Sequence, residues 1–177
     1  MSSKTARKFY HFTRKENIEG ILNSYLYPGK VIGKNNNYHE MRGDPSYIYL
    51  FNENRARGSI EFEMISPEIA VFRRETHSLL EITLPLSHPV EKDYDKLLFI
   101  FSDLKKKDWK KLVVEPFFWR LGMHFQGDLT KENLIYYMSL VSDDAWFGNV
   151  GSYRTSKPIP GKNIKEVGFD YLLLDKK

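Results

Sequence analysis

Lys8-Phe-Tyr-His-Phe-Thr-Arg-Lys-Glu-Asn-Ile-Glu-Gly-Ile-Leu-Asn-Ser-Tyr-Leu-Tyr-Pro-Gly29 is the stretch from which the rest of the chain is read. Phe9, Tyr10, His11 and Phe12 carry rings of the kind strands favour. Thr13 and Glu16 have the spacing of a capping box, which ties off the free N–H groups of a first helical turn. Ile18, Ile21, Leu22 and Tyr25 recur at i, i+3, i+4 and i+7, a stripe that faces a core, and Pro28-Gly29 ends the helix. His11 is therefore expected at the end of a strand beside a helix N-terminus, where N–H groups and partial positive charge meet a ligand. The plainer alternative is a strand-end histidine satisfied by backbone.

Around that stretch lie 177 residues, 41% hydrophobic and 28% charged, enough for one domain over 1–177 and too few for two comfortable ones. The absence of cysteine excludes disulfides, thiolate metal sites and a cysteine nucleophile. The first eight residues lack the apolar core of a signal peptide, and no apolar run has the length of a membrane span. A cytoplasmic protein without a membrane partner is the expectation. His11, His39, His77, His88 and His124 show no metal-ligand spacing, so no metal is expected. There is no phosphate-binding glycine loop and no serine nucleophile elbow. The net charge of +4 leans towards anionic partners.

Along the chain, Lys30 to Asp44 reads as a long polar loop with His39, Glu40 and Arg42 as possible contacts. Pro45 to Phe51 reads as a strand, with Tyr47 and Tyr49 on one face, before a turn at Asn52–Asn54 and a helix from Arg55 to Met64. Strands are expected at Ser78–Leu84 and Lys96–Phe101. Lys105, Lys106, Lys107 and Lys110 surround Trp109, a pattern that holds phosphates while an aromatic ring stacks on a base; the alternative is a solvated helix start with Trp109 turned inward. A helix over Leu129–Leu140 opens at Asp128 or Thr130, a glycine-containing loop carries Asp143 and Asp144 up to Gly151, and strands follow at Ser152–Ser156 and Asn163–Leu174.

Tyr10, His11, Thr13, Asn17, Ile18, Ile21 and Leu22 resemble the opening motif of the ADP-ribosyltransferase-like fold, as found in DNA-ADP-ribosylating toxins and RNA 2′-phosphotransferases. The resemblance implies an α+β domain, an ADP-ribosyltransferase-like split β-sandwich with flanking helices, and NAD as the co-substrate. It implies that His11, Phe12 and Thr13 hold the ribose and adenosine side, and that Tyr49, with Tyr47, lines the nicotinamide pocket. It also implies that an arginine such as Arg57 or Arg154 neutralises the diphosphate or orients the acceptor. Transferases of this type carry a glutamate at the start of the penultimate strand, where this chain has Ser152, Tyr153 and Arg154. Asp143 and Asp144 are the nearest carboxylates upstream, with Glu166 and Glu115 further away.

Three functions follow as expectations. The first is an NAD-dependent ADP-ribosyltransferase acting on a macromolecule, DNA or RNA before protein, with Asp143, Asp144 and Arg154 as its catalytic residues. The second is a non-catalytic module that binds NAD, ADP-ribose or nucleic acid and has lost the glutamate. The third is a nucleic-acid-binding protein working through residues 105–111.

Overall fold

The structure is a computed structural model that describes residues 5–29, 44–102 and 110–174. Strand β1 (Ala6–Arg14) is followed by a 3-10 turn (Lys15–Asn17), α1 (Ile18–Asn23) and the two-residue β2 (Tyr25–Leu26). Next come β3 (Ile48–Phe51), α2 (Glu53–Ile65), β4 (His77–Pro85), β5 (Glu91–Lys92) and α3 (Asp95–Ser102). A π-helical turn (Lys110–Val114) runs into α4 (Glu115–Arg120), and α5 (Lys131–Leu140) and α6 (Asp143–Asn149) follow. Then β6 (Ser152–Thr155), β7 (Ile159–Pro160) and β8 (Ile164–Glu166) lead to a last 3-10 turn (Phe169–Leu173).

Six strands form one antiparallel sheet in the order β5-β6-β3-β1-β4-β8, and β2 pairs with β7 in a separate ribbon. β1 pairs with β4 along its whole length, yet meets β3 at one partner pair, Tyr10↔Phe51. The seam between β1 and β3 thus has the fewest paired residues of the joins in the sheet.

Side chains alternate across a strand, so the register assigns each residue to a face. Tyr10, Phe12, Phe51 and Leu79 face one way and pack with Ala56 and Ile60 of α2 and with Phe169 and Leu172. Phe9, Ile48, Leu50, Leu80 and Ile82 face the other way, against Ile21 of α1, Leu26 and Ile159. A third cluster, built on Phe118, Met138 and Trp146, gathers α3 to α6, and Tyr153 of β6 packs against both it and the second cluster.

Several expectations change in three dimensions. His11 does not end its strand: β1 continues to Arg14 because Thr13 and Arg14 find partners in Ser78 and His77. Thr13 is buried by that pairing and the following turn has no side-chain cap, so no capping box forms. The helix stops at Asn23, not at Pro28-Gly29, and Leu22 and Tyr25 of the expected apolar stripe are exposed. The run at 96–101 is helical, not extended; an apolar stretch without clear periodicity fits either form, and the Asp95 N–H bonds the Asp93 carboxylate just where α3 starts. Residues 143–149 are helix α6, not loop, because the Ser142 hydroxyl accepts the Ala145 N–H and caps it. The expected strand from Asn163 to Leu174 shortens to Ile164–Glu166 and breaks at Gly168, whose φ of 77° favours glycine. By contrast α5 is capped by Thr130, one of the two residues expected to open it.

Candidate functional site

Among the described residues, a dense polar assembly lies at the β5–β6–β3 edge of the sheet. Tyr49 on β3 stands opposite Arg154 on β6, which stands opposite Glu91 on β5, so the three share a face. The Arg154 guanidinium donates from Nε to Glu91 Oε1 at 2.7 Å and from Nη1 to Asp95 Oδ2 at 3.0 Å. The Tyr49 hydroxyl donates to the same Asp95 oxygen at 2.7 Å. The Tyr47 ring lies under the guanidinium, 4.1 Å from Arg154 Cζ to the ring centre, a cation–π contact that holds the arginine flat. Burial alone would lower the Arg154 pKa; the hydrogen bond to Glu91 and the charge of Asp95 outweigh it and raise the net value. Burial, followed by the Asp95 hydrogen bond, raises Tyr49 and keeps it a phenol.

Behind this network sits Asp93, only 4% exposed. Its N–H bonds the Ser152 carbonyl at 3.1 Å and continues the β5–β6 ladder, so Asp93 and Ser152 face the same side as Arg154. Its Oδ1 accepts the Asp95 N–H at 2.9 Å. Burial pushes its pKa up to about 6, and the charge of Asp95 adds to this while Arg154 and Arg55 pull against it. Among the described residues, two buried groups nearby have no hydrogen-bond partner, Arg55 Nε and Ser152 Oγ. Three carboxylates (Glu91, Asp93, Asp95) stand against two guanidiniums (Arg55, Arg154). The edge therefore carries surplus negative charge when all are ionised.

Tyr47, Tyr49 and Arg154 are the expected site residues that this edge brings together. His11 and Thr13 project from the opposite face of β1, since Tyr10 shares the Phe51 face. The His11 ring instead reaches across the seam, and its Nδ1–H donates to the Tyr49 carbonyl at 2.8 Å, in place of a ladder bond where β1 and β3 part. Burial lowers its pKa, the bond to Tyr49 partly opposes this, and His77 lowers it further. Phe12 is a core residue, its ring stacked on Phe72 at 4.4 Å. Arg57 pairs with Glu53 and donates to the Leu172 carbonyl at 3.0 Å, tying α2 to the C-terminal turn.

The two expected catalytic aspartates lie apart from the edge. Asp143 has a 98% exposed side chain and meets Lys92 at 3.5 Å, on the face opposite Arg154 because Lys92 stands opposite Tyr153. Asp144 is exposed in the same helical turn. Glu166 accepts the Ser78 hydroxyl at 2.7 Å and borders an open depression of about 580 Å³ with Lys15, Glu19 and Asn23. Lys110 lies 5.9 Å from the Phe125 ring centre. Lys105, Lys106, Lys107 and Trp109, like His39, Glu40 and Arg42, fall outside the described residues. Among the described residues there is no group of three or more His, Asp or Glu placed to hold a metal ion, and no helix is long and apolar enough to cross a membrane.

Asp93, Asp95 and Glu91 are the residues that sequence reasoning missed. Their one local signal is Asp93-Tyr-Asp95, two carboxylates on one side of an extended segment. The chain matches no known protein family, no curated protein and no solved structure.

Proposed function

We propose that this chain is an NAD-dependent ADP-ribosyltransferase that breaks the nicotinamide N-glycosidic bond and transfers ADP-ribose to a macromolecule, nucleic acid before protein. The observation that carries the proposal is the surplus of carboxylate at the β5–β6 edge, around the strand start where the resemblance calls for an acidic group. A ribosyl centre becomes cationic as nicotinamide departs, and fixed negative charge in a water-poor site lowers the barrier to that step. Support for the finer fold, a split ADP-ribosyltransferase-like sheet, comes from the thin β1–β3 seam with His11 bridging it. In this reading Tyr49 and Tyr47 face the nicotinamide, Arg154 orients the carboxylates, and His11 positions β3 through the Tyr49 carbonyl. The net charge of +4 and the lysines around Trp109 favour a nucleic-acid acceptor.

A second reading has its own observation: Ser152 replaces the expected glutamate and its hydroxyl is buried without a partner among the described residues. That fits a module that binds NAD or ADP-ribose without turnover. Incubation with NAD, alone and with single-stranded DNA or RNA, separates the two. The transferase releases nicotinamide and labels the acceptor; the module binds NAD and releases none.

A further inference from the structure

We propose that Asp93 supplies the negative charge that stabilises the reacting ribose, replacing a carboxylate on β6 with one on the neighbouring strand edge. This rests on the transferase reading above. The Asp93 backbone is joined to Ser152 by a 3.1 Å hydrogen bond, and the two side chains share a face, so a carboxylate moves one strand sideways without leaving the site. Glu91 and Asp95 are both committed to Arg154, and Asp95 also accepts from Tyr49. Among the described residues, the hydrogen bond given to the Asp93 carboxylate is the Asp95 N–H; Arg154 and Arg55 act on it through their charge, without a hydrogen bond to it. Among the described residues, the buried Ser152 Oγ and Arg55 Nε have no hydrogen-bond partner, so polar atoms able to take a ligand's hydrogen bonds lie beside Asp93.

The step balances with water as the base. The C1′–N bond breaks and its electron pair leaves with nicotinamide, which departs neutral. The cationic ribosyl carbon is held by the Asp93 carboxylate. An acceptor O–H or N–H then adds, and its proton passes to water.

The groups facing Asp93 are Asp95 at the start of α3, Arg154 on β6, Arg55 on α2 and Tyr49 on β3, with Glu91 two residues away on its own strand. Burial lifts Asp93 to about 6, so its charged form is present above that pH and is lost below it. The rate of release should therefore fall as the pH drops through about 6.

The test measures nicotinamide release by wild type and Asp93→Asn, with thermal melts of both. The expected result is a loss in kcat of about 100-fold, with KM for NAD changed little and a melting temperature no lower than wild type. In parallel, 13C NMR of wild-type aspartate carboxyls should place Asp93 with a midpoint near 6 and a matching acidic limb in kcat. A wild type that releases nicotinamide while Asp93→Asn keeps full kcat overturns this inference and leaves the transferase reading standing. An acidic limb in kcat that does not follow the Asp93 midpoint found by NMR also overturns it. A wild type that releases no nicotinamide with any acceptor overturns the transferase reading and this inference with it.

Discussion

Asp93 sits in the fold at a measurable cost. Its pKa rises from 3.8 to about 6 on burial, so the unfolded chain loses its proton first as pH increases. Stability from this group is complete below about pH 4 and is lost between about 4 and 6, worth about 3 kcal/mol at roughly 1.4 kcal/mol per unit. Asp93→Asn is accordingly expected to raise the unfolding free energy at pH 7.5 by up to ~3 kcal/mol and to change it little at pH 4. Urea titrations at the two pH values check this, and equal destabilisation at both would refute it. Gly151 carries the opposite kind of constraint. Its φ is 67°, and a Cβ there would overlap the Asn52 side-chain amide. Gly151→Ala should lose about 2–4 kcal/mol, combining left-handed strain with displacement of the cap residue, and a denaturant melt reads it directly.

That cap residue links two elements. Asn52 is buried, its Oδ1 accepts the Arg55 N–H at 2.8 Å to start α2, and its Nδ2 donates to the Phe147 carbonyl of α6. Its own N–H bonds the Gly151 carbonyl at 2.8 Å, directly before β6. One side chain thus fixes where α2 begins and where α6 hands over to β6, and it sets Arg55 and Ser152 beside Asp93. Asn52→Ala is expected to cost about 2 kcal/mol, since it removes the cap and the hydrogen bond to the Phe147 carbonyl. Asn52→Asp keeps the acceptor and loses the donor, so it should fall between alanine and wild type. If both variants match wild type in chemical denaturation, the cap has no such role.

At the scale of the molecule, the sheet and the helical cluster meet at β6. Tyr153 packs against both cores, and the indole N–H of the fully buried Trp146 donates to the Ser152 carbonyl at 2.8 Å. A shared residue and a buried hydrogen bond couple the two bodies, so unfolding followed by tryptophan fluorescence and by far-UV circular dichroism should coincide. Trp146→Phe should lower the common midpoint by the worth of a buried hydrogen bond and lost volume, about 2 kcal/mol, without splitting the transition. Separate midpoints would show the helical cluster to be an independent unit.

The amino-acid sequence by itself determined the features that depend on near neighbours. The strand runs of β4 and β6, the apolar stripe's inner residues Ile18 and Ile21, and the Thr130 cap are local patterns, and the strand faces of Tyr49 and Ile48 follow from simple alternation. The two ends of β1 were not local: pairing with a strand over sixty residues away carries it past His11 and buries Thr13. The helices at 95–102 and 143–149 turned on which of two compatible conformations the surrounding core would accept. The site shows the division most sharply. Tyr47, Tyr49 and Arg154 were named from the resemblance, and their common face follows from alternation along β3 and the β3–β6 register. Asp93 was not, because a carboxylate becomes a buried, partly protonated charge only when β6, some sixty residues on, covers it and α2 brings Arg55 alongside. Burial is a property of the packed chain, and only the tertiary structure decided it.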